Sequence, residues 1–239
     1  ITNIDDEHLE HYGSIENLKK SFVSFAEKTP SFGKTLFCLD DKNNRSILSK
    51  IKNQNIITYG LHEKSNFKIK NISLQTKYSK FDIEINLPNQ TKKVIKSLQM
   101  PLIGIHNIKN CCASIAVAVL MGISVSLIKK AILEFKGVQR RFNFIFEHEN
   151  TIYYDDYAHH PTEIYELLKS TRDVYKSKKI ISIFQPHRIS RLNKLKKKFT
   201  KCFKYSDQVI LCPIYRAGEN LKLKFKYYNF AKDIIKNSK

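Results

Sequence analysis

Two short stretches concentrate side chains able to do acid–base and anion chemistry. Tyr154-Asp155-Asp156-Tyr157-Ala158-His159-His160-Pro161 sets carboxylates, phenols and imidazoles directly after a strand-like run and before a helix that opens on proline. Carboxylates in that place can bind ribose hydroxyls or a metal, and imidazoles can meet a phosphate or move a proton. The plainer alternative is helix capping by the aspartates with solvated histidines. Gln185-Pro186-His187-Arg188-Ile189-Ser190-Arg191 also follows a strand-like run. Arg188 and Arg191, three apart on the first turn of a helix, are expected on one face. With the helix amino terminus they suit a carboxylate or phosphate. A surface salt-bridge pair is the competing reading.

Two weaker clusters lie earlier. Gly104, His106, Asn107 and Asn110 open an alanine-rich helix, where asparagine amides fit either capping or the edge of a purine base. Asp5, Asp6, Glu7 and His8 offer oxygen and nitrogen ligands of the kind Mg2+ takes one or two at a time, although loose acidic loops are common. Gly33-Lys34-Thr35 only imitates a phosphate-binding loop. The first glycine of that motif would fall at Lys28, and no strand precedes it.

The elements that must position these residues alternate. After an opening stretch, Ile1 to Gly13, read as the end of a strand running into a loop, Ser14 caps a helix. Thr35 to Leu39 reads as a strand, Asn44 to Ile51 as a helix and Ile56 to Tyr59 as a strand. Between Phe67 and Leu98, apolar residues alternate with polar ones, which predicts antiparallel strands with one wet face. A helix pair over Asn107 to Met121 and Ser124 to about Phe135 closes this part. Beyond the irregular segment Lys136 to Arg141, strands at Thr151–Tyr154, Ile180–Phe184 and Val209–Cys212 alternate with helices at Thr162–Tyr175 and Ile189–Tyr205. The fold class is α/β: a domain with a mixed sheet over residues 1–137, then a Rossmann-like, doubly wound domain over 138–239. In such sheets ligands bind beyond the carboxyl ends of the strands, where both motif loops fall.

Composition narrows the function classes. With 42% hydrophobic and 11% aromatic residues the chain can fill real cores. Its five cysteines show no disulfide or zinc spacing, which points to a reducing compartment. No run approaches the roughly 20 apolar residues of a membrane helix. The acidic start is unlike a secretory leader, so a cytoplasmic protein is expected. A net charge of +20 invites a nucleic-acid-binding reading. Against it, the lysines are scattered, with one dense cluster at Lys194, Lys196, Lys197 and Lys198, so no nucleic-acid partner is expected.

Taken in order, Thr2-Asn3-Ile4 through His8 with Tyr12-Gly13, Gly104 with His106-Asn107 and Asn110, Gly137-Val138 with Arg140-Arg141-Phe142, Asp155-Asp156-Tyr157 with His159 through Glu163, Gln185 through Arg188 with Arg191, and Tyr215 with Ala217-Gly218-Glu219 resemble the bacterial cell-wall amino-acid ligases, the Mur ligases. The likeness is greatest to the branch that joins L-alanine to UDP-N-acetylmuramate. It implies a central ATPase domain and a carboxy-terminal domain that holds the incoming amino acid. The implied reaction uses ATP and Mg2+ in peptidoglycan precursor synthesis: the sugar-nucleotide carboxylate becomes an acyl phosphate, which the amine of L-alanine attacks.

Carried over by motif, His8 is implied as a metal ligand. His106, Asn107, Asn110, Arg140, Arg141, Asp155 and Asp156 are implied around ATP. Tyr157, His159, His187, Arg188 and Arg191 are implied around the amino acid and the reacting phosphate, with His159, Arg188 and Arg191 in the chemistry. The nearest rival is the ligase that recycles a murein tripeptide, whose motif usually has phenylalanine where this chain has Tyr157. The family's phosphate loop and sugar-nucleotide domain are expected before Ile1, and more chain after Glu219. The chain is therefore expected to be a piece that does not turn over by itself.

Overall fold

The computed structural model describes residues 1–7, 9–52, 55–220, 222 and 224–237, and divides into two compact units, Ile1–Phe135 and Lys136–Lys239. His8, implied above as a metal ligand, lies outside the described residues.

The first unit begins with α1 (Leu9–Tyr12), where a loop was expected, and α2 (Ile15–Glu27), whose cap Ser14 accepts from the Asn17 amide at 3.2 Å. Then come β1 (Thr35–Cys38), α3 (Lys42–Leu48), β2 (Ile56–Gly60), β3 (Phe67–Leu74), β4 (Ser79–Ile85), β5 (Lys93–Met100), α4 (Ile105–Leu120) and α5 (Val125–Glu134). The helix α3 starts two residues ahead of the expected position because Asp41 caps it, accepting from the Asn44 amide at 2.7 Å.

Five strands form one sheet in the order β1-β2-β3-β4-β5, parallel across the first three and antiparallel beyond. Alternation explains its faces. Along β4, Phe81, Ile83 and Ile85 are buried with Lys80 exposed between Ser79 and Phe81, and these apolar residues pack with Ile108, Cys112, Ile115 and Ala116 of α4. On β1 the pleat sends Cys38 into that core and Phe37 into a second one with Ile4, Leu18 and Ile47. The opening residues run beside β1: the Cys38 amide donates to the Ile1 carbonyl at 3.0 Å, and the buried Asn44 amide group reaches the carbonyls of Ile1, Thr2 and Cys38.

The second unit opens with an antiparallel hairpin, β6 (Asn143–His148) and β7 (Thr151–Asp155), turned by Glu149 and Asn150 at φ 45° and 64°. Two successive positive φ values match the twist of a two-residue hairpin turn. After it come α6 (Pro161–Val174), β8 (Ile181–Phe184), α7 (Ile189–Cys202), β9 (Gln208–Leu211) and α8 (Tyr227–Asn237).

The strand–helix alternation expected over 151–212 is present, with β8 and β9 parallel from Ile181↔Gln208 to Phe184↔Leu211. The partner of β7 differs from the expectation: it pairs with the preceding β6 rather than with a parallel neighbour. Phe184 turns into a core of Ile164, Leu168, Leu192, Phe199, Phe203 and Phe230, while Ile181 and Ile183 on the other face are exposed. α7 departs from helical geometry at Leu195, with φ −104° and ψ 16°.

Candidate functional site

Helix α6 begins where the first motif loop ends, and the sequence sets that boundary. Pro161 takes the first helical position, His160 caps, and Glu163 reaches back to complete a capping box. The His160 ring is 4% exposed and its Nδ1 accepts from the Thr162 amide at 3.3 Å. Of the two adjacent histidines, this one is a cap, and the capping falls to it rather than to the aspartates. The Glu163 carboxylate accepts from the amides of His159 (3.1 Å) and His160 (3.2 Å), and from Arg141 at 3.3 Å. Burial works to raise its pKa, but these donors outweigh burial and hold it below its ordinary value.

Asp156 is also committed to the backbone. Its two oxygens accept from the amides of Phe142 (2.7 Å) and Ala158 (2.6 Å), tying the loop to the start of β6, while burial raises its pKa. Asp155 and Arg140 stay open: their side chains are 50% and 64% exposed, 3.9 Å apart, and the Arg140 guanidinium lies 4.6 Å from the centre of the Tyr157 ring. Arg141 is less open than the sequence suggests, since it pairs with Glu163.

The second motif loop meets the first through rings. His159 and His187 lie 5.8 Å apart between centroids, Tyr157 is 5.0 Å from His159, and Tyr215 is 5.3 Å from His187. Their hydrogen-bond partners fix opposite tautomers for the neutral rings. His159 Nδ1 lies 2.9 Å from the Tyr157 carbonyl, which can only accept, so that nitrogen carries the proton and Nε2 is the basic one. His187 Nδ1 lies 3.3 Å from an Arg191 guanidinium nitrogen, which can only donate, so Nε2 carries the proton. Burial first, then the charges of Arg191, His159 and Arg188, depress the His187 pKa, against an opposing pull from Glu219.

Arg188 does not sit on the first turn of α7. It is the cap residue, at φ 66°, so the three-residue spacing does not place it over Arg191 as an intrahelical pair. Its Nε is buried without a hydrogen-bond partner among the described residues. Nor is the amino terminus of α7 open to an outside anion. Glu219 fills it, accepting from the amides of Ile189 (2.6 Å) and Ser190 (3.3 Å) and from the Ser190 hydroxyl. The same loop is stitched alongside: Arg188 N donates to Tyr215 O and Tyr215 N to Pro186 O, both at 2.9 Å.

In the other unit, Gly104 caps α4 at φ 101° without a side-chain bond, and Asn107 donates to the Ile103 carbonyl at 2.8 Å, one helical turn back. Asn110 is exposed and His106 half-buried. No three His, Cys, Asp or Glu side chains gather as a metal site among the described residues. The sequence reasoning assigned no role to Glu163 or Glu219. Glu163 had a local signal, three residues after the cap and two after Pro161; Glu219 had none, since its partners are some 30 residues away.

Residues 1–118 match the Mur ligase middle domain, and residues 140–236 the Mur ligase, glutamate ligase domain. Over all 239 residues the chain is 59% identical to a UDP-N-acetylmuramate--L-alanine ligase of Pelagibacter ubique, covering 52% of it. It is 41% identical over 221 residues to the ligase of that name from Rhizobium etli, covering 92% of this chain and 47% of the relative. The chain thus spans about half the length of the curated relatives it matches. Among solved structures, a UDP-N-acetylmuramate-alanine ligase from Thermotoga maritima is 26% identical with a TM-score of 0.70, over 97% of this chain and 47% of that one. An Acinetobacter baumannii MurF, at 19% identity and TM-score 0.71 over 99% of this chain and 48% of that one, shares the fold. The succession of motifs, the two units and the two domain matches agree, and the chain belongs to the Mur ligase family.

Proposed function

We propose that this chain is the catalytic middle and acceptor-binding part of an ATP-dependent ligase that joins L-alanine to UDP-N-acetylmuramate in the cytoplasm. The observation that carries the reading is 59% identity, over every residue of the chain, to a relative named for that reaction. The geometry supports an acceptor site in the second unit. Two guanidiniums, Arg188 and Arg191, stand beside two imidazoles of opposite tautomer, a set that suits a carboxylate next to an amine that must lose a proton. Arg188 and Arg191 hold the alanine carboxylate, and Tyr157 and the Nε2–H of His187 line its bed. In its neutral form His159 turns the lone pair of Nε2 to the amine.

ATP supplies the phosphoryl group that makes the sugar-nucleotide carboxylate reactive. For its contacts the chemistry of the residues suits His106, Asn107 and Asn110 in one unit. In the other, Arg140 and Asp155 suit it, with Arg141 a weaker candidate because of Glu163, and Asp156 already spent on backbone amides. Mg2+ belongs to the reading through His8, but the described residues alone form no metal site and no step here runs through it. Alanine is favoured over a murein tripeptide because the relatives at 39–59% identity carry the alanine name, while the murein peptide ligase neighbour is only 20% identical.

The test is a chimaera in which this chain replaces its counterpart in the Pelagibacter ubique ligase. Phosphate release is followed with UDP-N-acetylmuramate and ATP present and L-alanine, L-serine, glycine or tripeptide supplied in turn. Release that requires both the sugar nucleotide and L-alanine is expected, with Arg188→Ala lowering kcat/KM for alanine by about 100-fold or more. Preference for tripeptide, or no release from a folded chimaera, sinks the reading.

A further inference from the structure

The residue at the start of α7 cannot do what that position requires. A helix leaves its first amide groups without intrahelical acceptors, and a cap normally supplies a side-chain oxygen. Here the cap is Arg188, which has only donors and makes no capping bond. It also stands at φ 66°, a left-handed conformation that a long side chain adopts only when its surroundings impose it. Glu219, midway along the segment between β9 and α8, supplies the missing acceptor to Ile189 and Ser190. The paired main-chain bonds between Pro186, Arg188 and Tyr215 hold that loop in place from the other side.

Resting on the acceptor reading given above, we infer that Glu219 is a positioning residue. Its carboxylate clasps the amino terminus of α7, fixes the strained backbone of Arg188, and so aims the guanidiniums of Arg188 and Arg191 at the acceptor carboxylate. Three observations meet in this assignment. The cap position lacks an acceptor of its own. The Arg188 Nε is buried and makes no hydrogen bond among the described residues, so packing rather than a bond partner holds this part of the side chain. The negative charge of Glu219 also reaches His187, which Arg191 contacts. Because the clasp already fills the positive end of the helix, the substrate carboxylate is left to the two guanidiniums, and acceptor affinity depends on how Glu219 holds them.

The test has two arms. In the 239-residue chain, NMR hydrogen exchange is followed at the Ile189 and Ser190 amides and at the Arg188 Nε–H. Glu219→Ala is expected to abolish slow exchange at all three while the Phe199 and Phe230 signals report an intact core. Glu219→Gln, which keeps one oxygen acceptor, is expected to retain it in part. In the chimaera, Glu219→Ala is expected to raise KM for L-alanine about 10-fold or more with KM for ATP little changed, and Glu219→Gln to recover part of the loss. Unchanged exchange at the amides overturns the clasp. Loss at the amides with Arg188 Nε–H untouched, or with an unaltered alanine KM in an active chimaera, leaves a cap without reach and overturns the positioning role. Should the chimaera with native Glu219 fail to ligate, the ligase reading falls, and the exchange arm alone decides whether Glu219 positions Arg188.

Discussion

His187 shows how a single side chain reads its surroundings. Burial and the neighbouring guanidiniums both penalise the imidazolium, so the ring stays neutral to lower pH than the ordinary 6.5. The linkage sign follows. A base whose folded pKa is depressed binds fewer protons folded than unfolded, so its contribution to stability is present above 6.5 and is lost as pH falls through the folded pKa. An NMR titration of the imidazole carbons is expected to give a midpoint below 6.5, and Arg191→Ala is expected to move it upward. A midpoint at or above 6.5 in the native chain would remove the case for a neutral His187 accepting from Arg191.

At this scale the sequence marked two loops that the fold brings together through His159 and His187, because clustered His, Asp and Arg directly after strands are rarely there for packing alone. It could not rank residues of one type within a loop. His160 and His159 are adjacent and chemically identical, yet one is a buried cap and the other faces His187. Asp155 and Asp156 divide in the same way, because only the fold decides which carboxylate meets backbone amides.

Among the elements, α7 carries the greatest burden: its first turn bears Arg191 and its last turns bear Phe199 and Cys202, both buried. Phe199 is fully buried between Phe184 and Phe230, so Phe199→Ala deletes a large apolar side chain and leaves a cavity. The expected loss is about 3–5 kcal/mol in urea unfolding of the second unit. A loss under about 1 kcal/mol would mean that the aromatic cluster collapses to fill the space. Elements with a strict pattern were legible: the alternation across β4 gave its antiparallel class, and Ser14 gave the start of α2. The strand β6 escaped because nearly all of its residues are exposed, so no alternation marks it, and because Glu149-Asn150 lacks the glycine that usually signals a hairpin. α8 escaped too, although Phe230 and Ile234, four apart and both buried, are its seam on α7.

For the whole molecule, +20 of net charge is a cost that exposed ion pairs such as Lys196–Asp233 at 2.8 Å do little to offset. Screening should therefore stabilise. Raising salt from low ionic strength to about 0.5 M shortens the Debye length to a few ångströms. The expected gain in Tm is a few degrees, about what 1 kcal/mol is worth in a domain of this size. A Tm that falls with salt in calorimetry would show that specific ion pairs outweigh the general repulsion.

Glu219 and its targets stand 30 residues apart in the chain, and that separation sets an order of events. The β3–β4–β5 meander joins neighbours in sequence and closes only short loops, whereas the β8–β9 ladder and the Glu219 clasp must each close a long one. On the ribosome α7 emerges well before the residue that caps it. Until about 30 more residues follow, at roughly 5–20 residues per second, the first amides of α7 lack the Glu219 acceptor. The clasp on α7 is thus made only after the helix itself.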